Sequence, residues 1–202
     1  MVIIDFPHVS KTGSAAGLEC ERPRWHNPSE VDAILKVLRC VRAKRGEAPR
    51  LAILSPYGAQ VDLIDRRLSA QLAGPLSHVR RFAPARPGSF VGTVDSFQGS
   101  EADLVVLSLV RNNPRVGGSA LGFLRDRRRI NVALSRAMSQ LVIVGSLSFL
   151  REAIRGVNPD EEEHDLSFFT DVLNTIQALT LEKRKDGVPL ATIMTSAEFM
   201  ST

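Results

Sequence analysis

The chain has 202 residues, 44% hydrophobic and 24% charged, with 26 basic against 22 acidic residues and a net charge of +4. That composition suits a globular domain that buries a core without staples, while two cysteines, Cys20 and Cys40, exclude a disulfide framework and point to a reduced, intracellular, cytoplasmic setting. No apolar run approaches the ~18 residues of a membrane-crossing helix, no secretory layout opens the chain, and aromatics at 5% are too scarce for a stacking platform on single strands.

In chain order, VIIDF (2–6) is a short apolar strand. Asn27-Pro28-Ser29-Glu30 opens a helix, because proline is accommodated in the first turn and Glu30 suits the positive helix start. Val31, Ile34, Leu35, Leu38 and Val41 recur at helical spacing and carry this helix to near Gly46. LAILS (51–55) is a second strand. A helix follows Tyr57, with Val61, Ile64 and Leu68 on one face, and ends near Gly74. FVGTV (90–94), LVVLSLV (104–110) and LVIVG (141–145) complete the strands. Between the last two, the pattern predicts a helix from Arg127 to Met138 that turns Ile130, Ala133, Leu134 and Ala137 inward. A short helix covers Ser148 to Arg155. Apolar strands alternating with helices predict an α/β sandwich around a mostly parallel sheet. Loops 7–26, 74–89 and 112–125 are rich in Gly, Pro and Arg and are expected at the surface.

After Gly156 the character changes. Residues 158–165 are acidic, and Leu166 to Leu181 reads as an amphipathic helix whose Phe169, Val172, Leu173, Ile176 and Leu179 dock back on the sheet. Residues 187–202 show no period. The expected organisation is a domain over 1–156, an acidic loop and docking helix over 157–181, and a flexible tail over 182–202.

The chemistry is narrowed first by elimination. There is no G-x-x-x-x-G-K-[ST] phosphate cradle and no acidic strand end that reads as a magnesium holder. Cys20, His26 and Cys40 lack the paired short spacings of a zinc site, so no metal ligands are assigned. No nucleophile elbow starts a Ser-His-Asp triad. What remains is a set of polar and arginine-bearing segments beside the strands. Ligands of α/β sheets sit outside the carboxyl ends of the strands, and three segments are expected there. LAILSPYGAQ brings Ser55, Tyr57 and Gln60. VGTVDSFQGSEAD brings Thr93, Asp95, Gln98, Gly99 and Glu101. LRDRRRINVALSRAM brings Arg128, Arg129, Asn131 and Arg136. Arg129, Val132 and Arg136 fall at i, i+3 and i+7 and share a helix face, either as a solvated basic face or as a pair of arginines reaching a phosphate.

TVDSFQGSEADLVVLSLVRNN followed by GFLRDRRRINVALSRA resembles motifs V and VI of superfamily 1 helicases of the Upf-like branch, and LAILSPYGAQ resembles their motif IV. The NPSEVDAILKVL helix stands where that family has its N-x-x-E-A helix, and the resemblance covers roughly residues 2–150. It implies a second RecA-like domain, a three-layer α/β/α sandwich, whose missing phosphate loop and magnesium motif belong to a first RecA-like domain of the same parent chain. By the same resemblance, ATP with Mg2+ is shared between the two domains. Arg136 is then the arginine finger on the γ-phosphate, and Arg129 a supporting member of motif VI. Glu101 accepts hydrogen bonds from the ribose hydroxyls, while Gln98 and Gly99 shape its loop. Ser55, Thr93 and Tyr57 face the backbone of single-stranded DNA or RNA, and no membrane is involved. Asp95 is read as holding its own loop through backbone amides. The sequence departs from the family at Met138 and Ser100, where a basic residue is common. The rival expectation is a stand-alone, non-catalytic RecA-like module, and a third is a subunit that lends its finger in trans.

Overall fold

The computed structural model describes residues 1–9, 17–22, 24–44, 46–115, 118–155 and 167–202. The acidic segment 158–165 lies outside the described residues. Among the described residues seven strands form one parallel sheet: β1 (Val2–Asp5), β2 (Arg50–Ser55), β3 (Ala83–Pro84), β4 (Val91–Thr93), β5 (Ala102–Ser108), β6 (Ala137–Gly145) and β7 (Thr192–Thr195). Their order is β3-β2-β5-β6-β1-β7, with β4 continuing the β3 side of β2. The helices are α1 (Pro28–Cys40), α2 (Gly58–Ser69), α3 (Gly118–Leu121), α4 (Arg127–Leu134), α5 (Leu147–Arg155), α6 (Ser167–Leu181) and α7 (Ser196–Ser201).

Strand alternation sends neighbouring side chains to opposite faces, and each face is covered. Ile4, Leu51, Ile53, Val106, Val142 and Val144 meet Val31, Ile34, Leu38 and Ile64 of α1 and α2. Ile3, Ala52, Leu54, Val105, Leu107 and Ile143 meet Ile130 and Ala133 of α4, Leu147 and Leu150 of α5, and Phe169, Leu173 and Ile176 of α6. This is the α/β sandwich expected from the alternation, and its three layers are consistent with the RecA-like fold that the resemblance implies. None of the helices among the described residues is long and apolar enough to cross a membrane.

Element ends differ from the periodicity, each for a visible reason. α1 starts as expected: Asn27 Oδ1 accepts from Glu30 N and Pro28 takes the first position. It stops at Cys40 rather than near Gly46, because Val41 is extended and the Arg42 guanidinium covers the carbonyls of Arg39 and Val41. α4 ends at Leu134, not Met138, since β6 reaches back to Ala137 to pair with Ala102 of β5. β5 runs 102–108 instead of 104–110: Val110 turns the chain with φ +71. The 182–202 segment, expected as a flexible tail, instead lays β7 parallel beside β1, with Ile193 opposite Ile3, and returns as α7 against α1. A Thr195–Glu198 capping box starts that last helix.

Close packing at the end of β6 gives a first expectation. A Cβ on Gly145 would lie 2.7 Å from Leu109 Cδ1 and 2.9 Å from Leu109 Cβ, and Leu109 is buried. Gly145→Ala overpacks this point and is expected to lower unfolding stability by about 1–3 kcal/mol, read as a lower urea midpoint.

Candidate functional site

Two groups of polar residues stand at opposite edges of the sheet. At the amino edge, β5 and β6 begin side by side, and Ala102 N donates to Arg136 O at 3.0 Å. Register therefore places Glu101 next to Arg136. Glu101 and Gln98 are exposed. Gly99 has φ +80 with open space around it, so the turn asks glycine for its conformation rather than its small size. The Arg136 guanidinium is half-buried. Nε donates to Val132 O at 3.0 Å, Nη2 to Ser135 Oγ at 2.9 Å and Nη1 to Ser100 O at 3.4 Å. No carboxylate among the described residues pairs with it. Its partners are neutral, and its charge is left for an anion.

At the carboxyl edge, Ser55 of β2 lies opposite Thr93 of β4. Thr93 is partly exposed; its Oγ1 accepts from Ser96 N at 3.1 Å, and its hydroxyl proton remains available. Ser55 is fully buried, with Oγ toward Tyr57 N at 3.4 Å, so its side chain does not face a ligand there. Tyr57 packs: its ring tilts against Phe123 with centroids 5.8 Å apart, and Oη accepts from Phe123 N at 3.1 Å. Burial pushes the Tyr57 phenol up.

The rule of carboxyl strand ends thus holds for Thr93 and fails for Glu101 and Arg136. Thr93 lies at the level of Ser108 through the shared pairing of β2, and Glu101 precedes Ala102. Seven strand steps separate the levels of Ser108 and Glu101, ~23 Å at the usual rise. Residues 94–101 cross that distance over the sheet face, with Val94 and Phe97 buried in the core. α4 runs the same way beside them, tying Asp95 at one end and Ser100 at the other.

Arg129 is not brought to Arg136. Its Nε lies 3.2 Å from Asp95 Oδ1 and 3.4 Å from Asp126 Oδ2, and its guanidinium sits 4.1 Å over the Phe123 ring. Arg136 follows the end of α4 instead of sharing its face, and six helical residues before it already rise ~9 Å. Asp95, read from sequence as a loop-holder through backbone amides, is the ion-pair partner of Arg129.

A buried polar cluster behind the carboxyl edge escaped the motif reading. The Glu30 carboxylate is 1% exposed. It accepts from Ser108 Oγ at 2.6 Å and from Val110 N at 3.0 Å, and Asn27 Nδ2 lies 3.4 Å away. Gln60 of α2 joins it, donating from Nε2 to Ser108 Oγ at 2.9 Å and accepting Asn27 N at 2.8 Å. Burial pushes Glu30 up to about 8, against the pull of the Ser108 and Val110 hydrogen bonds. Next to it, Arg111 is buried against Glu19 at 3.3 Å and under the Trp25 ring at 4.2 Å. The available signal was the run Ser108, Arg111, Asn112 and Asn113 closing the most apolar strand, where buried polar groups need partners.

The architecture is that of a RecA-like α/β domain, with an arginine and a carboxylate at one edge of the parallel sheet and a threonine turn at the other. The chain belongs to the AAA domain family, which matches residues 2–148, and its curated relatives are superfamily 1 helicases, in keeping with the Upf-like motifs. It is 32% identical over 126 residues to DNA polymerase alpha-associated DNA helicase A of Saccharomyces cerevisiae, covering 62% of this chain and 16% of that protein. It is 35% identical over 147 residues to the helicase required for RNAi-mediated heterochromatin assembly 1 of Schizosaccharomyces pombe, covering 72% and 12%. It is 32% identical over 167 residues to the regulator of nonsense transcripts 1 homolog of Drosophila melanogaster, covering 79% and 13%. The chain therefore spans between 12% and 16% of the length of these relatives.

Proposed function

We propose that residues 1–156 act as the second motor domain of an ATP-dependent DNA or RNA helicase or translocase, completed by a first RecA-like domain of the same parent chain. Bound ATP with Mg2+ would supply the hydrolysable phosphoanhydride and the charge that the two domains close upon. Arg136 is the finger presented to the γ-phosphate, Glu101 accepts from the ribose hydroxyls, and Gln98 and Gly99 hold that loop. Thr93 donates its hydroxyl to the backbone of the single strand. Such contacts carry no base information and give little sequence preference.

The observation that carries this reading is the amino-edge pair. Arg136 rests on the Val132 and Ser100 carbonyls, forms no ion pair with a carboxylate among the described residues, and stands at the strand start one strand over from Glu101. Those carbonyls hold the guanidinium in place without neutralising it, which suits an arginine that meets a phosphate only when a cleft closes. The residues present fit the nucleotide's ribose and terminal phosphate. The cradle and magnesium ligands are assigned to the other domain.

The test uses the parent protein. Glu101→Ala is expected to raise KM for ATP about tenfold and to erase the preference for ATP over its dideoxy analogue, since the removed acceptor touches only the ribose. An unchanged KM for both nucleotides would sink the assignment. The chain by itself is expected to show no ATP turnover.

A further inference from the structure

The carboxyl edge holds more positive charge than Thr93 accounts for. Residues 125–129 read Arg-Asp-Arg-Arg-Arg, at the start of α4, where the helix dipole disfavours cations. Asp126 is spent on capping, accepting from the amides of Arg128 and Arg129. Arg129 is held in an unusual way for a surface arginine. Phe123 supports one face of its guanidinium at 4.1 Å, and Asp95 and Asp126 both approach Nε. Its side chain stays 41% exposed, and its two terminal amino groups hydrogen-bond to nothing among the described residues. Arg128 beside it is exposed and without a partner among the described residues. The surface is continuous: Thr93 caps Ser96 N in the turn that carries Asp95, Asp95 holds Arg129, Arg129 covers Phe123, and Phe123 meets Tyr57.

A fork gripped at Nε and backed by a ring has already lost most of the rotamer freedom that binding would remove. Asp95 and Asp126 offset its charge, so its N–H pair acts as a fixed double donor that suits two oxygens of one phosphate, while Arg128 supplies the uncompensated cation for the next. We propose that Arg128 and Arg129 bind successive phosphates of the single strand that Thr93 contacts, making this part of motif VI a nucleic-acid surface rather than part of the nucleotide site. This rests on the nucleic-acid reading of the Thr93 edge. It also gives α4 two ends with two ligands, the strand at Arg129 and the nucleotide just beyond Leu134 at Arg136.

The experiment is fluorescence anisotropy of a labelled single-stranded oligothymidylate titrated with this chain across a salt series. Arg128→Ala combined with Arg129→Lys is expected to weaken binding roughly tenfold at low salt and to lower the slope of log affinity against log salt by about 0.7 to 1.4. Lysine keeps the charge and a partner for Asp95 but loses the fork and the ring contact. Arg128→Ala alone touches no side chain that holds the fold, and is expected to give a smaller loss of the same sign. Arg39→Ala, exposed at the far end of α1, matches the charge change and is expected to bind as the unaltered chain does. Unchanged binding by both Arg128 variants overturns this inference and leaves the role of Thr93 standing. An equal loss in Arg39→Ala overturns it as a net-charge effect. No binding by the unaltered chain at low salt overturns the nucleic-acid reading and this inference together.

Discussion

On the proposed motor reading, Arg136→Ala in the parent protein is expected to lower strand-stimulated ATP hydrolysis by ~10³–10⁵, the loss typical of a missing arginine finger, with a much smaller change in KM for ATP. The interaction being removed forms with charge that develops on the transferring phosphoryl group, so it belongs to the transition state more than to binding. Arg136→Lys is expected to rescue little, because an ammonium is a point charge and the position needs a planar fork set by Val132, Ser100 and Ser135. The variant should still fold. Its guanidinium bonds are partly exposed and go to neutral acceptors, each contributing ~1 kcal/mol or less. Steady-state hydrolysis at saturating single strand and ATP measures the effect, and a rate within about tenfold of the unaltered motor would remove Arg136 from the finger role. On the proposed reading, the same geometry would join the strand contact to the nucleotide contact. Residues 94–101 and α4 both run from the Thr93 edge to the Arg136 edge, joined by the Asp95–Arg129 pair at the start and by Arg136 to Ser100 at the end.

The sheet was legible because its central strands are buried on both faces. LAILS, LVVLSLV and LVIVG admit few readings other than covered parallel strands. The helix N-terminus at Asn27 was legible for a local reason, a cap with proline following it. What the sequence hid is set by contacts distant along the chain. Ala137 fits the inward face of a helix by period, yet it pairs with Ala102, and that pairing ends α4 and moves Arg136 off its face. β5 looks longer than it is because Val110 is apolar, while a carboxylate 80 residues earlier takes its amide and turns the chain. β7 is a four-residue edge strand with exposed ends, a weak pattern until β1 is placed beside it. Of the candidate site, register sets Glu101 beside Arg136. Ser55 is buried and Arg129 pairs with Asp95, features that motif order does not carry because order does not say which face a side chain takes.

Folding stability is expected to fall as pH rises from about 4.5 to about 8, and Glu30 is the group responsible. Its carboxyl has the ordinary value of 4.5 when unfolded and about 8 when buried in the fold. The folded chain therefore keeps a proton that the unfolded chain releases, and every step of rising pH in that window favours the unfolded side. The stabilisation is complete below 4.5 and gone above about 8. A separation of this size corresponds to on the order of 5 kcal/mol, at about 1.4 kcal/mol for each pH unit. Glu19, buried nearby, pushes in the same direction through its charge, and burial raises Asp5 as well, so neither cancels the trend. Glu30→Gln keeps the shape and fixes the neutral form. Its oxygen still accepts Val110 N, and its amide faces Ser108 Oγ. Urea midpoints of this variant are expected to change little between pH 5 and pH 8.5, and to exceed those of the unaltered chain at the upper end. Glu30→Ala removes the acceptor altogether and strands the Val110 amide at a β-branched residue already held at φ +71. Its expected loss is ~3 kcal/mol or more at any pH, from an unpaired buried donor and unsupported backbone strain. A pH slope that persists unchanged in Glu30→Gln would assign the trend to another group and leave Glu30 as a simple tie between α1 and the end of β5.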